Sequence, residues 1–161
     1  MNILEQMTLR DIWWDFLQYK IEKHNLVPSE QEVLKSYIEE QRFLPLLNEI
    51  RQMEYQPPIP YKKEINKDGA KKKRVVYSYP KDFNVLLKMV AFRLYEYDNI
   101  FSDNCYAFRR SFGVKDAIMR IRKTPNICNR YCLKVDISNY FNSIDVELLL
   151  VRLQFMKEKD A

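Results

Sequence analysis

Long hydrophobic runs are missing from this chain. No apolar stretch approaches the roughly 18 residues of a membrane-spanning helix. The first residues, Met-Asn-Ile-Leu-Glu-Gln, lack the charged and apolar regions of a signal peptide. Both absences point to a cytoplasmic protein with no membrane partner. Cysteine and histidine are scarce as well. Cys105, Cys128 and Cys132 are an odd number without a Cys-x-x-Cys pair, which fits reduced thiols better than disulfides or zinc. The single histidine, His24, excludes a multi-histidine metal centre. No repeat or low-complexity tract appears.

What the chain does have is core-forming material and unevenly placed charge. Of its 161 residues 47% are hydrophobic, enough to bury a real core. The net charge of +5 is modest, but residues 61–81 carry eight basic against two acidic side chains, and residues 101–136 carry eight against three. Residues 1–60, by contrast, carry six against ten. Two basic segments flanking a nearly neutral one suit a polyanion, because phosphate neutralisation supplies most sequence-independent affinity for nucleic acid. The plainer reading of residues 61–74 is a solvated, lysine-rich hairpin.

Apolar spacing divides the chain. Thr8-Leu-Arg-Asp11 reads as a helix start, followed by Ile12, Trp13, Phe16, Leu17 and Ile21 at helical intervals. Ser29-Glu-Gln-Glu32 reads as a second start, leading into Val33, Leu34, Tyr37 and Ile38, and a third helix is expected over 45–53. Trp13 and Trp14 are better read as helix packing than as a base-stacking platform. Gln56-Pro-Pro-Ile-Pro60 can be neither helix nor central strand, and so reads as a linker. Residues 61–65 and 73–79 read as strands around the turn sequence Asn66-Lys-Asp-Gly69. Helices are expected from Asp82 to about Tyr97, with Leu86, Leu87, Val90 and Leu94 inward, over 113–122, and after a cap at Ser143 or Asp145.

The most informative stretch is Tyr131-Cys-Leu-Lys-Val-Asp136-Ile-Ser-Asn-Tyr-Phe141-Asn-Ser-Ile-Asp145. Leu133 and Val135 share a face at period two, so 131–135 reads as a buried strand that ends on a carboxylate. A carboxylate there must be paired, hydrogen-bonded or metal-bound; standing alone, it would more simply start a turn. Two segments precede it: Gly69-Ala-Lys71-Lys72-Lys73-Arg74-Val-Val-Tyr-Ser-Tyr-Pro80, and Phe101-Ser-Asp-Asn-Cys-Tyr-Ala-Phe108-Arg109-Arg110-Ser-Phe-Gly113-Val-Lys-Asp116-Ala-Ile118.

In order and spacing, over roughly residues 60–150, these three segments resemble the N-terminal motifs of bacterial reverse transcriptases of the group II intron and retron kind. The resemblance covers the fingers and the first part of the palm. The family's second catalytic block, a Tyr-x-Asp-Asp hairpin, is absent from these 161 residues.

The resemblance implies an α+β right-hand polymerase fold, truncated, with a helical N-terminal region (1–56), fingers (57–130) and the start of a palm (131–161). It implies Mg²⁺-dependent transfer of deoxynucleotides onto a primer 3′-hydroxyl. The partners would be an RNA template, a DNA or RNA primer, deoxynucleoside triphosphates and a C-terminal palm and thumb. Asp136 would be catalytic and a metal ligand, with the main-chain carbonyl of Ile137 completing the site. Asp145 suits helix capping better than ligation. Arg74, with Lys72 or Lys73, would grip the triphosphate, and Phe141 would lie under the sugar and exclude a 2′-hydroxyl. Phe141 could equally be a core aromatic. Lys71, Phe108, Arg109 and Arg110 would contact nucleic acid, although Arg110 replaces the family's usual Pro. Asp116 reads as structural. The fragment alone should not polymerise. The alternatives are a non-catalytic nucleic-acid-binding module of the same fold, and a defence-type reverse transcriptase working without an ordinary template.

Overall fold

A computed structural model describes residues 2–66, 73–138 and 140–159, the side chains of 141, 142 and 154–159 excepted. The architecture is mixed α and β, as expected, with a single antiparallel hairpin among the described residues. Two compact units are distinguished, Met1–Arg93 and Leu94–Ala161.

The first unit opens with α1 (Ile3–Gln6), α2 (Arg10–His24), α3 (Pro28–Glu39) and α4 (Phe43–Arg51). The reciprocal cap lies at Asn2 and Glu5, which exchange side-chain and backbone hydrogen bonds at 2.9 and 3.1 Å. Thr8 therefore does not start α2. Its hydroxyl donates to the Glu5 carbonyl at 2.7 Å, and α2 begins at Arg10 behind Leu9. Ser29 is likewise inside α3, because Pro28, whose φ is preset and whose missing N–H costs nothing there, takes the first helical position. Pro45 sits in the first turn of α4 rather than at its start, again where no intrahelical N–H is required.

Trp13 organises the core. Its indole is fully buried, stacks on Phe43 at 4.5 Å between centroids, and meets Tyr37 and Phe16 at 5.5 and 6.2 Å. Its Nε1–H donates to the Met7 carbonyl at 2.7 Å, so this aromatic leaves no buried polar group unpaired. Trp14 lies half-buried beside Arg10. Leu34, Ile38 and Leu47 complete the inner faces of α3 and α4, while Val33 points outward.

Residues Tyr61–Asn66 (β1) and Lys73–Ser78 (β2) pair antiparallel, Tyr61 opposite Ser78 through Asn66 opposite Lys73. The turn sequence between them lies outside the described residues. Helix α5 (Lys81–Leu94) then returns to the core. Its buried face is Leu86, Met89, Phe92 and Arg93, so of the residues expected inward Leu86 is buried, but the buried face is turned away from Leu87 and Leu94. Leu87 and Leu94 are exposed. Phe92 fixes that phase by packing against Phe16 and Tyr19 at 5.5 and 5.0 Å. Phe83 of α5 stacks on Tyr55, ahead of the proline-rich linker, at 5.7 Å and meets Tyr79, just after β2, edge-on at 5.0 Å. Arg42 holds Asp82 with two 2.8 Å contacts. That exposed pair adds little stability and mainly fixes geometry.

The Tyr37 hydroxyl is buried with no partner among the described residues. Burial, reinforced by the charge of Asp82, pushes its pKa up to about 12. The folded state thus keeps the phenol proton after the unfolded chain has lost it. Stability should fall as pH rises from about 10 to 12, by about 2–3 kcal/mol. Tyr37→Phe should remove that fall and, because an unpaired hydroxyl disappears, keep stability at pH 7 at least at the parent level. Urea unfolding of both proteins at pH 7 and above pH 10 checks this. A parent and variant with the same pH dependence would contradict it.

The second unit contains a 3-10 helix (Tyr95–Ile100), α6 (Val114–Arg122) and α7 (Val146–Lys159), with shorter 3-10 turns at Ile127–Asn129 and Tyr140–Ser143. Asp116 accepts from the Gly113 N–H at 2.9 Å, a structural role at the start of α6. Asp145 accepts from the Leu148 N–H at 3.0 Å and caps α7, whereas Ser143 bonds back to the Tyr140 carbonyl. All three cysteines are unpaired.

The expected buried strand at 131–135 is not formed. Residues 131–137 are irregular and exposed, with Leu133 at 87% and Val135 at 76%. Alternation specifies a strand only when a neighbour completes its ladder. The sheet among the described residues contains β1 and β2 alone.

Candidate nucleic-acid interface

Hairpin β1–β2 is a two-stranded arm exposed along nearly its whole length. Because cross-strand partners share a face and neighbours in sequence do not, the register sorts its side chains into two sets. Tyr61, Lys63, Ile65, Arg74, Val76 and Ser78 lie on one face, and Lys62, Glu64, Asn66, Lys73, Val75 and Tyr77 on the other. Arg74 and Val76 thus share a face, as the alternation anticipated, while Lys73 and Arg74 point to opposite sides. Lys73 Nζ lies 3.1 Å from Glu64 Oε2, a solvent-exposed pair. Lys71 and Lys72 lie outside the described residues. Lys63 carries no family motif, and its place beside Arg74 becomes legible only once the hairpin register is known.

In the second unit, Phe108, Arg109 and Arg110 follow one another in an irregular loop and do different things. Phe108 is 90% exposed and left-handed, with φ of +57°. A β-carbon makes that conformation cost roughly 1–2 kcal/mol. Nothing in the fold compensates with buried aromatic surface. Strain of this kind at an exposed aromatic is an outlier from which function can be argued.

Arg109 is the opposite case. Its side chain is only 7% exposed and its Nε lies 3.3 Å from Asp98 Oδ1. Its two terminal nitrogens donate to the carbonyls of Ser102, Cys105 and Asp98 at 3.1, 3.3 and 2.9 Å. The guanidinium carbon sits 4.4 Å from the centre of the Phe112 ring. This guanidinium ties the loop together, and a phosphate could engage it only by displacing those contacts. Asp98, eleven residues upstream, was not singled out in the sequence, and no local motif joins it to Arg109. Arg110 is exposed.

Replacing Phe108 by Gly should separate strain from function. The loop should gain about 1 kcal/mol through relief of the left-handed Phe, while affinity for single-stranded nucleic acid falls, because a stacked base is worth roughly 1–3 kcal/mol. Thermal unfolding and anisotropy titration measure the two sides. A Gly variant that binds as tightly as the parent would remove Phe108 from the interface.

Asp136 and Ile137 occupy the exposed 131–137 segment, with Ile137 64% exposed. Asp136 makes no hydrogen bond or ion pair among the described residues. No group of three or more His, Cys, Asp or Glu side chains is assembled to hold a metal among them either. Magnesium bound by protein asks for one or two carboxylates together with substrate phosphates and water. One solvent-exposed Asp and one carbonyl are not a finished site for two ions. The side chain of Phe141, within the 3-10 turn Tyr140–Ser143, lies outside the description. No helix among the described residues is long and apolar enough to cross a membrane. Comparison with known protein families, curated proteins and solved structures found no match.

Proposed function

We propose that this chain is the N-terminal part of an RNA-directed DNA polymerase, contributing a nucleic-acid-binding fingers arm and the first metal-binding carboxylate. The observation that carries the reading is the exposed, cationic hairpin β1–β2, placed in sequence before the Phe108–Arg110 loop and Asp136 in the order of the reverse transcriptase motifs. An arm of this kind, exposed on both faces and rich in positive charge, gains little from its own core and is suited to phosphate. Asp136 and the Ile137 carbonyl would provide part of a Mg²⁺ site, and further carboxylates would complete it. The ions would neutralise charge on the transferring phosphate. Phe141 would select deoxynucleotides.

A second reading, a nucleic-acid-binding module without catalysis, is favoured by the exposed, irregular segment that carries Asp136, with no group of three or more His, Cys, Asp or Glu side chains assembled among the described residues.

Both readings require nucleic-acid binding, and the salt dependence of affinity tests it. For about five phosphate contacts, affinity for an RNA–DNA hybrid should fall a few hundred-fold between 50 and 200 mM salt. Neutralising Lys71, Lys72 and Arg110 together should flatten that dependence without unfolding the chain. Fluorescence anisotropy with a labelled hybrid is the measurement. Binding independent of salt, or none at low salt, would contradict both readings.

A further inference from the structure

The single histidine sits among lysines. His24 and Lys20 are four residues apart on α2 and so share a face, as do Lys88 and Phe92 on α5. The Tyr19 ring joins the two sets. It packs on Phe92 at 5.0 Å and on the His24 imidazole at 5.2 Å, and its hydroxyl lies 3.2 Å from His24 Nε2. Two helices of one compact unit thereby bring three basic groups to one place. Lys20 is half-buried, while His24 and Lys88 are exposed. None of the three forms an ion pair among the described residues.

This arrangement costs electrostatic energy. The last turn of a helix ordinarily favours a protonated imidazole. Here burial, and then the charges of Lys20 and Lys88, hold the His24 pKa below its usual value. Burial and Lys88 likewise lower that of Lys20, against the opposing pull of Glu30 on α3. The groups that face His24 are the Tyr19 hydroxyl and Lys20 of its own helix and Lys88 of α5. Like charges held together are relieved by a bound anion.

We propose that Lys20, His24 and Lys88 form a phosphate-binding site in which His24 is the proton-dependent member. An imidazolium carries two N–H donors, so one can stay with the Tyr19 oxygen while the other serves the anion. The lysines add charge on flexible stems that adapt to a tetrahedral group. Phosphate and proton therefore favour each other: binding raises the His24 pKa, and protonation tightens binding. The site lies on α2 and α5, outside the three polymerase-like segments, and does not rest on the polymerase reading. Its phosphate is either a small free one or one carried by a nucleic-acid strand.

His24 is the chain's only histidine, so its imidazole proton resonances titrate without overlap. The test follows them by NMR across pH in the 161-residue chain, alone, with inorganic phosphate and with a short oligodeoxynucleotide. Ionic strength is held constant with chloride, because screening alone weakens the repulsion between His24 and the lysines. In the free protein the midpoint should lie below that of an unperturbed histidine, and the phosphate probe should move it upward. Lys20→Gln and Lys88→Gln should each raise the midpoint of the free protein and weaken phosphate binding roughly threefold, without lowering thermal stability. Lys23→Gln, adjacent in sequence but on another face of α2, should change neither. The probe that moves the midpoint at the lower phosphate concentration identifies the source, free phosphate or strand. A midpoint that neither probe moves beyond the effect of chloride would overturn the site. Equal losses in the Lys23, Lys20 and Lys88 variants would overturn it too, leaving general surface charge.

Discussion

Changing Asp136 to Asn should lower RNA-templated DNA synthesis by the native protein on the order of 10³-fold or more, with no loss of thermal stability. The two halves of that expectation have separate causes. Asparagine keeps the size and hydrogen-bonding capacity of the side chain but removes the charge that would hold a divalent ion. Stability is spared because Asp136 is exposed and makes no hydrogen bond or ion pair among the described residues. Should further carboxylates gather around it, removing one charge would relieve repulsion in the absence of metal. Primer extension beside thermal unfolding, with and without Mg²⁺, gives both answers. Near-parent synthesis by the variant would deny Asp136 a ligand role, and a matching collapse of folding would make it structural.

Arg109→Ala should cost the loop it ties about 3–5 kcal/mol of local stability, because it strips a nearly buried charge from Asp98 and removes one donor from each of three carbonyls, of which those of Ser102 and Asp98 keep a backbone donor. Arg109→Lys should recover little, since one ammonium cannot reproduce a planar fork bonded to three carbonyls and resting on the Phe112 ring. Native-state hydrogen exchange of amides in residues 98–112 reads the local free energy directly. A phosphate contact behaves otherwise: Lys would substitute well, exchange would stay slow, and the salt dependence of binding would become shallower. Observing that second pattern would return Arg109 to the interface.

The sequence was most legible where a local rule acts alone. The turn signal and alternation of 61–79 placed both strands to within a residue, and the helical spacing of Trp13, Phe16 and Leu17 identified buried positions correctly. Helix starts differ from expectation by one or two residues for separate reasons: the reciprocal cap lies at Asn2 and Glu5 and not at Thr8, Pro28 takes the first helical position ahead of Ser29, and α4 begins at Phe43 with Pro45 inside its first turn. The buried face of α5 was misjudged for a different reason. Leu87 and Leu94 are as apolar as Leu86, and it is the packing of Phe92 on Phe16 and Tyr19 that sets the phase. At 131–135 the alternation was real, but the partner that turns alternation into a strand is not found among the described residues. Chemistry followed the same division. Asp116 and Asp145 could be read as structural from their places at helix starts. The role of Arg109 depends on a carbonyl cage that no motif describes.

The reading as a polymerase stands or falls on primer extension by the native protein that carries these residues. With Mg²⁺, an RNA template annealed to a primer, and either deoxynucleotides or ribonucleotides, it should extend the primer with deoxynucleotides, and Phe141→Val should raise the share of ribonucleotides accepted. A native protein that binds the primed template in a salt-dependent manner yet adds no nucleotide would contradict that reading and leave the chain a nucleic-acid-binding module.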